Sequence, residues 1–156
     1  DDTFDRYPDT YFNIDLKAKG TDWGVAEVVA RMNRQDTVLV GSFSDLRLSR
    51  FRRITKGAVA VAAAKRAAIT MYGMSRVGRA SRIPVQAYQL PYQARGAVVD
   101  RKLIDAIHSV GAHLHLWTVD DPEDMERFLD MGVDGIVTDR PDLLNDVLEG
   151  RNRATW

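Results

Sequence analysis

The 156-residue chain has no cysteine, which excludes disulfides and thiolate-held metals and leaves the redox compartment open. It has no apolar run approaching the ~20 residues of a membrane span, so no transmembrane segment is expected. It has no excess of either charge: 22 Lys and Arg stand against 22 Asp and Glu. Neither nucleic acid nor an anionic membrane surface is therefore expected as a partner. The opening residues, DDTFDRYPD, show no initiator methionine, basic n-region or apolar h-region, so they do not read as a signal peptide.

The composition is that of an ordinary globular chain, 45% hydrophobic and 28% charged, and the length predicts one domain. Strand-like runs occur at Phe12–Ala18, Thr37–Phe43, Ala58–Ala64, Val85–Pro91, His113–Val119 and Gly135–Asp139. Most lack polar alternation, as strands covered on both faces do. Helical patterns lie between them: from Gly24, from Asp45, from Ala64 to about Met74, and over DRKLIDAIHSVG. DPEDMERFLDMG has the clearest helix grammar: Asp121 to cap, Pro122 to open, Glu123 and Asp124 at the positive end, Gly132 to stop. A last helix follows Pro141, and Arg151–Trp156 reads as a frayed tail.

Strand and helix alternate six times, with strand centres recurring roughly every 20–30 residues, the size of a βα unit with short loops. This predicts an α/β fold with a parallel sheet and helices outside it. Two architectures fit, an open doubly wound sheet and part of a (β/α)8 TIM barrel. No G-x-G-x-x-G follows the first strand, which weakens a dinucleotide-binding sheet. A barrel needs eight strands, about two βα units more than are here.

Candidate chemistry falls where strands end. In NIDLK, Asn13, Asp15 and Lys17 share one face, and Ile14 and Leu16 the other. A strand-end carboxylate can ligate a hard cation, and a lysine just beyond it can meet a phosphate oxygen; a buried Asp–Lys pair without catalytic role fits the pattern equally. His113, His115 and Trp117 share a face of their run, with Trp117 highest, as a ligand-lining wall or as packing; for the histidines packing is the better reading. Ser42 either donates to a ligand or begins the turn after its strand, beside Phe43. Gln86, Tyr88 and Leu90 share a face, with Gln89 on the other. GVDGIVTDRPD is loop grammar for an α/β unit, with Gly135 allowing close packing, but that grammar leaves the Thr138-Asp139 pair unexplained.

HLHLWTVDDPEDMERFLDMGVDGIVTDRPDLL resembles the C-terminal end of the glycerophosphodiester phosphodiesterase family, whose members carry a WTV(N/D) strand end, a helix, then GVDGI(I/V)TD-x-P. FNIDLK is similar to the family's N-I-E-I-K strand, VLVGSFS to its V-SF-D strand, and IDAIHSVGAHLHLWTV to its H-x-x-G-x-x-V-x-x-W join, with Leu114 for the Val. The resemblance runs from about Tyr11 to Leu148, only in outline over Thr55–Pro84. It implies an incomplete TIM barrel of six parallel βα units, strands three to eight, over residues 1–150, with 151–156 a tail. The family's first two strands carry H-R-G, E-x-D and a later H-D, which supply both catalytic histidines and two metal carboxylates; none is in this sequence. By resemblance Asp15 takes the place of the third metal carboxylate, usually Glu. Lys17 faces the phosphate, Trp117 lines the glycerol side, and Ser42 and Phe43 stand near the mouth. The implied activity is metal-dependent hydrolysis, with Mg2+ or Ca2+, of a small glycerophosphodiester to an alcohol and glycerol 3-phosphate, a step of lipid and glycerol metabolism. The chain alone is then expected to be inactive. The alternative is a non-catalytic barrel fragment whose open edges drive homo-oligomerisation or pairing with a complementing chain.

Overall fold

The computed structural model describes residues 2–93 and 99–154, without the side chains of 152–154. Along the chain run α1 (Asp2–Arg6), β1 (Phe12–Asp15), α2 (Thr21–Arg31), β2 (Val38–Gly41), α3 (Asp45–Ile54), β3 (Ala60–Val61), α4 (Lys65–Arg76), β4 (Ala87–Pro91), α5 (Arg101–His108), β5 (His113–Trp117), α6 (Pro122–Met131), β6 (Gly135–Ile136) and α7 (Pro141–Ala154). The strands form two three-stranded parallel sheets, β1-β2-β3 and β4-β5-β6. Each expected strand lies within its apolar run. No helix of the described residues is long and apolar enough to cross a membrane.

Two compact units divide the chain: residues up to Ile69 with Ile83–Gln86, and Thr70–Arg82 with the residues from Ala87 onward. In the first, β1 pairs with β2 in the register Phe12↔Val38 to Asp15↔Gly41. The inward faces of β2 and β3, Val38, Val40 and Val61, are buried against Ala26 and Val29 of α2 and Leu48 and Phe51 of α3. Beyond β3, the amide of Gln86 donates to the Val61 carbonyl, and the Gln86 side-chain carbonyl accepts from the Val61 amide, each at 2.9 Å. Gln86 thus extends the sheet edge. Helix α1 was not legible beforehand. Phe4 packs edge-on against Phe12, ring centroids 4.9 Å apart, and the Arg34 guanidinium lies over both rings while donating to the carbonyls of Pro8 and Thr10.

In the second unit, β5 lies between β4 and β6, and Tyr88, Leu114 and Leu116 are fully buried with Ile104 and Ile107 of α5 and Met125 of α6. Helix α6 is built as its sequence implies. The Asp121 carboxylate accepts from the amides of Glu123 and Asp124, Pro122 opens the helix, and Gly132 closes it at φ +93°, where a side chain would be strained. Helix α7 runs on to Ala154, through most of the expected tail, and Arg151 reaches Asp130 of α6 at 2.6 Å. That tertiary tie is what a tail reading omits; Thr155 and Trp156 lie outside the described residues.

Candidate functional site

In the first unit the predicted residues gather at the C-terminal ends of β1 and β2. Asn13, Asp15 and Lys17 lie on the exposed face of their segment, while Leu16 is buried. Lys17 Nζ stands 3.9 Å from Asp15 Oδ2, with 84% of the lysine side chain exposed. A buried ion pair is thus excluded: this is a loose, solvated pair, worth little as a stabilising contact. It is a carboxylate and an ammonium presented together on a strand end. Phe43 is 71% exposed just after β2.

Ser42 is buried, and its hydroxyl is committed within the fold. It donates to the Leu16 carbonyl at 2.8 Å and accepts from the Ser44 amide at 3.2 Å and from Arg47 Nη1 at 3.0 Å. Of the two uses open to Ser42 in the sequence, it begins the turn, which leads into the Ser44 cap of α3. Arg47 Nη1 also donates to the Leu16 carbonyl, at 2.6 Å. Arg47 was missed in the sequence, where it reads as one more base on a basic helix.

Trp117 belongs to the second unit, half-buried at the end of β5, and its carbonyl accepts from the Tyr92 amide at 3.2 Å. The Trp117–Thr118 peptide is cis. Just beyond lies a hub that engages the Thr138 hydroxyl and the main-chain amide of Asp139. Asp120 Oδ1 accepts from the Thr138 hydroxyl and from the Asp139 amide, both at 2.8 Å, and the Thr138 hydroxyl accepts from the Arg140 amide at 2.9 Å. The WTVD and TDRP segments are therefore two halves of one tie between the ends of β5 and β6.

Each histidine has a polar partner within the fold. Asp134 accepts from the Leu114 amide at 2.7 Å, is 2.7 Å from His108 Nε2 and 3.4 Å from His113 Nδ1. Burial works to raise the Asp134 pKa, but the Leu114 amide and the two histidines outweigh it and hold the carboxyl below its usual range. The His115 ring is half-buried 3.3 Å from the Gln89 amide nitrogen; burial first, and His113 second, lower its pKa. Gly135 sits opposite it in register, and a Cβ there would come within 2.8 Å of the ring. This is the close approach for which GVDGI keeps its second glycine.

A groove of about 400 Å3 in the first unit is lined by Leu48, Arg52, Arg53, Lys56, Val61 and Val85 among others, and contains none of the predicted site residues. The described residues contain no group of three or more His, Asp or Glu that could hold a metal ion.

The description "Glycerophosphoryl diester phosphodiesterase family" fits residues 5–143 of this chain. The chain belongs to that family. The Mycobacterium tuberculosis protein called "Probable glycerophosphodiester phosphodiesterase 2" is 36% identical over 97% of the chain and 60% of its own length. An Oleispira antarctica phosphodiesterase, solved in complex with the product sn-glycerol-3-phosphate, superposes with a TM-score of 0.72 at 17% identity, over 95% of this chain and 58% of that one. An Agrobacterium tumefaciens glycerophosphodiester phosphodiesterase does so with a TM-score of 0.69 at 16% identity, over 96% and 60%. The likeness to the solved structures is one of fold, and that fold is the TIM barrel. The chain spans about 60% of the length of each of these three relatives.

Proposed function

We propose that this glycerophosphodiester phosphodiesterase family chain is the C-terminal six-unit portion, residues 1–150, of a TIM barrel that hydrolyses glycerophosphodiesters to an alcohol and glycerol 3-phosphate. The observation that carries the reading is the exposed Asp15–Lys17 pair at the end of β1, in a chain the family fits over residues 5–143. Lys17 offers a point charge on a flexible stem, suited to the non-bridging phosphate oxygens, where charge builds as the ester bond breaks. Trp117 borders the glycerol moiety with an apolar face, and exposed Phe43 stands near the mouth. Ser42 acts indirectly, by fixing the strand end that carries Asp15 and Lys17.

A divalent cation, Mg2+ or Ca2+, takes about six oxygen ligands. Asp15 offers one carboxylate, one methylene shorter than the Glu expected from the family, and the described residues contain no metal-holding cluster. They therefore do not fit a complete metal site, and the remaining donors come from another segment. The general acid and base come from outside these residues too, since His108 and His113 are engaged with Asp134 and His115 packs over Gly135.

The test is release of glycerol 3-phosphate from glycerophosphocholine, with Mg2+ or Ca2+, by the chain alone and by the chain fused to the preceding portion of the mycobacterial relative. No turnover alone and turnover in the fusion are expected. Turnover by the chain alone would contradict the reading.

A second reading, a self-associating assembly unit, is favoured by the sheet edges. Among the described residues β1 pairs only with β2, and β6 only with β5. Light scattering decides it: a dimer or larger species supports the reading, and a monomer at 17.5 kDa opposes it.

A further inference from the structure

We infer that Arg47 and Arg50 are positioning residues, through which α3 grips both ends of the segment that presents Lys17. The inference rests on Lys17 as the phosphate-facing group.

Lys17 does not belong to the strand that brings it to the site. β1 ends at Asp15, and Lys17–Gly20 are all exposed before α2 begins at Thr21. A four-residue exposed loop has little packing to hold it, and loosely packed segments open at low free energy. Its flanks are different. Leu16, on one side, is 1% exposed, and Asp22, on the other, is 0% exposed.

Each flank is tied to α3. The Leu16 carbonyl, on the peptide bond that leads into Lys17, accepts two donors, Arg47 Nη1 at 2.6 Å and the Ser42 hydroxyl at 2.8 Å. Arg47 Nη1 also bonds that hydroxyl, so carbonyl, hydroxyl and guanidinium form a closed triangle. On the far side, Arg50 Nε lies 3.1 Å from the buried Asp22 Oδ2. Arg47 and Arg50 are three apart and so share a face of α3. Within the loop, the Thr21 hydroxyl donates to the Ala18 carbonyl at 2.8 Å, and Gly20 supplies the turn at φ +88°. A charged donor on a carbonyl is among the stronger hydrogen bonds, and a carboxylate buried without its cation is costly. Both ties sit beside the loop, and neither occupies the Lys17 ammonium.

Two measurements on the 156-residue chain test this, with sn-glycerol 3-phosphate as probe. In Arg47→Ala, amide exchange at Leu16, whose amide donates to the Gly41 carbonyl at 2.8 Å, and at Val25 and Ala26 in the first bonded turn of α2 is expected to quicken by about tenfold, the loss of one charge-assisted hydrogen bond. Exchange in β5 and α6 should stay at the wild-type rate. Arg50→Ala should quicken the same segment from its other end, and Arg47→Lys, which keeps a charged donor, should recover part of the protection. The nuclear magnetic resonance shift of the Lys17 amide on titration with glycerol 3-phosphate should need a higher concentration in Arg47→Ala than in wild type. Unchanged exchange at Leu16, Val25 and Ala26 in both arginine variants would overturn the inference. So would acceleration spread evenly over the first unit, which marks a stability contact only. If Lys17→Ala binds the probe as wild type does, the functional reading of Lys17 falls, and the exchange data still decide whether α3 holds the loop.

Discussion

Gly135→Ala is the sharpest packing prediction. A Cβ at Gly135 would stand 2.8 Å from His115 Cδ2, 3.2 Å from Cγ and 3.3 Å from Nε2. Carbon atoms prefer about 3.5–4.0 Å, so three ring atoms are crowded at once. The ring has to tilt, leaving the Gln89 amide now at 3.3 Å and departing from its rotamer. Overpacking of this kind costs about 1–3 kcal/mol. Loss of glycine's freedom in the unfolded chain returns about 0.4–1 kcal/mol, since this glycine does not need a positive φ. The net expectation is a loss of about 1.3 kcal/mol, the difference between the midpoints of those two ranges. Urea unfolding at pH 7 reads it, and the burial that lowers the His115 pKa favours the neutral ring there. The decisive control is the same substitution in His115→Ala, where the cost should vanish and the unfolded-state gain remain. Gly135→Ala as stable as wild type, or equally costly in both backgrounds, would refute the reasoning.

Three further outcomes follow from the geometry. Arg34→Ala removes a guanidinium from the carbonyls of Pro8 and Thr10 and from the faces of Phe4 and Phe12; it should cost about 2 kcal/mol by urea unfolding and speed exchange in α1 first. Asp120→Ala strips the Thr138 hydroxyl and the Asp139 amide of their acceptor and should cost about 1 kcal/mol, with exchange quickening at Asp139. The hydrogen bond from Arg76 leads the causes that hold the Asp100 carboxyl below its usual range. A depressed carboxylate stabilises the fold fully above its unfolded pKa of about 4 and loses that stabilisation as pH falls through the lower folded value. Urea midpoints of Asp100→Asn should therefore be lower than wild type at neutral pH and fall less steeply below about pH 4.

Much of the fold was legible because strands covered on both faces leave unbroken apolar runs, and because Asp121, Pro122 and Gly132 carry their helix boundaries locally. What stayed hidden depends on partners far along the chain. Helix α1 is held by Arg34, and the length of α7 by Arg151 on Asp130. At the candidate site, the alternation of Asp15 and Lys17 was readable from the period of a strand. The commitment of Ser42 was not, because a hydroxyl can serve a ligand or a turn, and the choice was made by the distant Leu16 carbonyl together with Arg47 on the following helix. Thr138 had no reason in its own segment because its hydroxyl serves Asp120, far back along the chain.

The central claim is that the end of β1 faces the phosphate of a glycerophosphodiester. The measurement that tests it most directly is kcat for glycerophosphocholine hydrolysis in the fusion with the preceding portion of the mycobacterial relative, comparing Lys17→Ala, Asp15→Ala and Asp15→Glu. The account predicts losses of about 10²–10³ for Lys17→Ala, as for removal of a charge-stabilising donor at a reacting oxyanion, and a comparable loss for Asp15→Ala. Asp15→Glu should keep activity, since it restores the side chain expected from the family. Turnover in which Lys17→Ala and Asp15→Ala match the parent would contradict it.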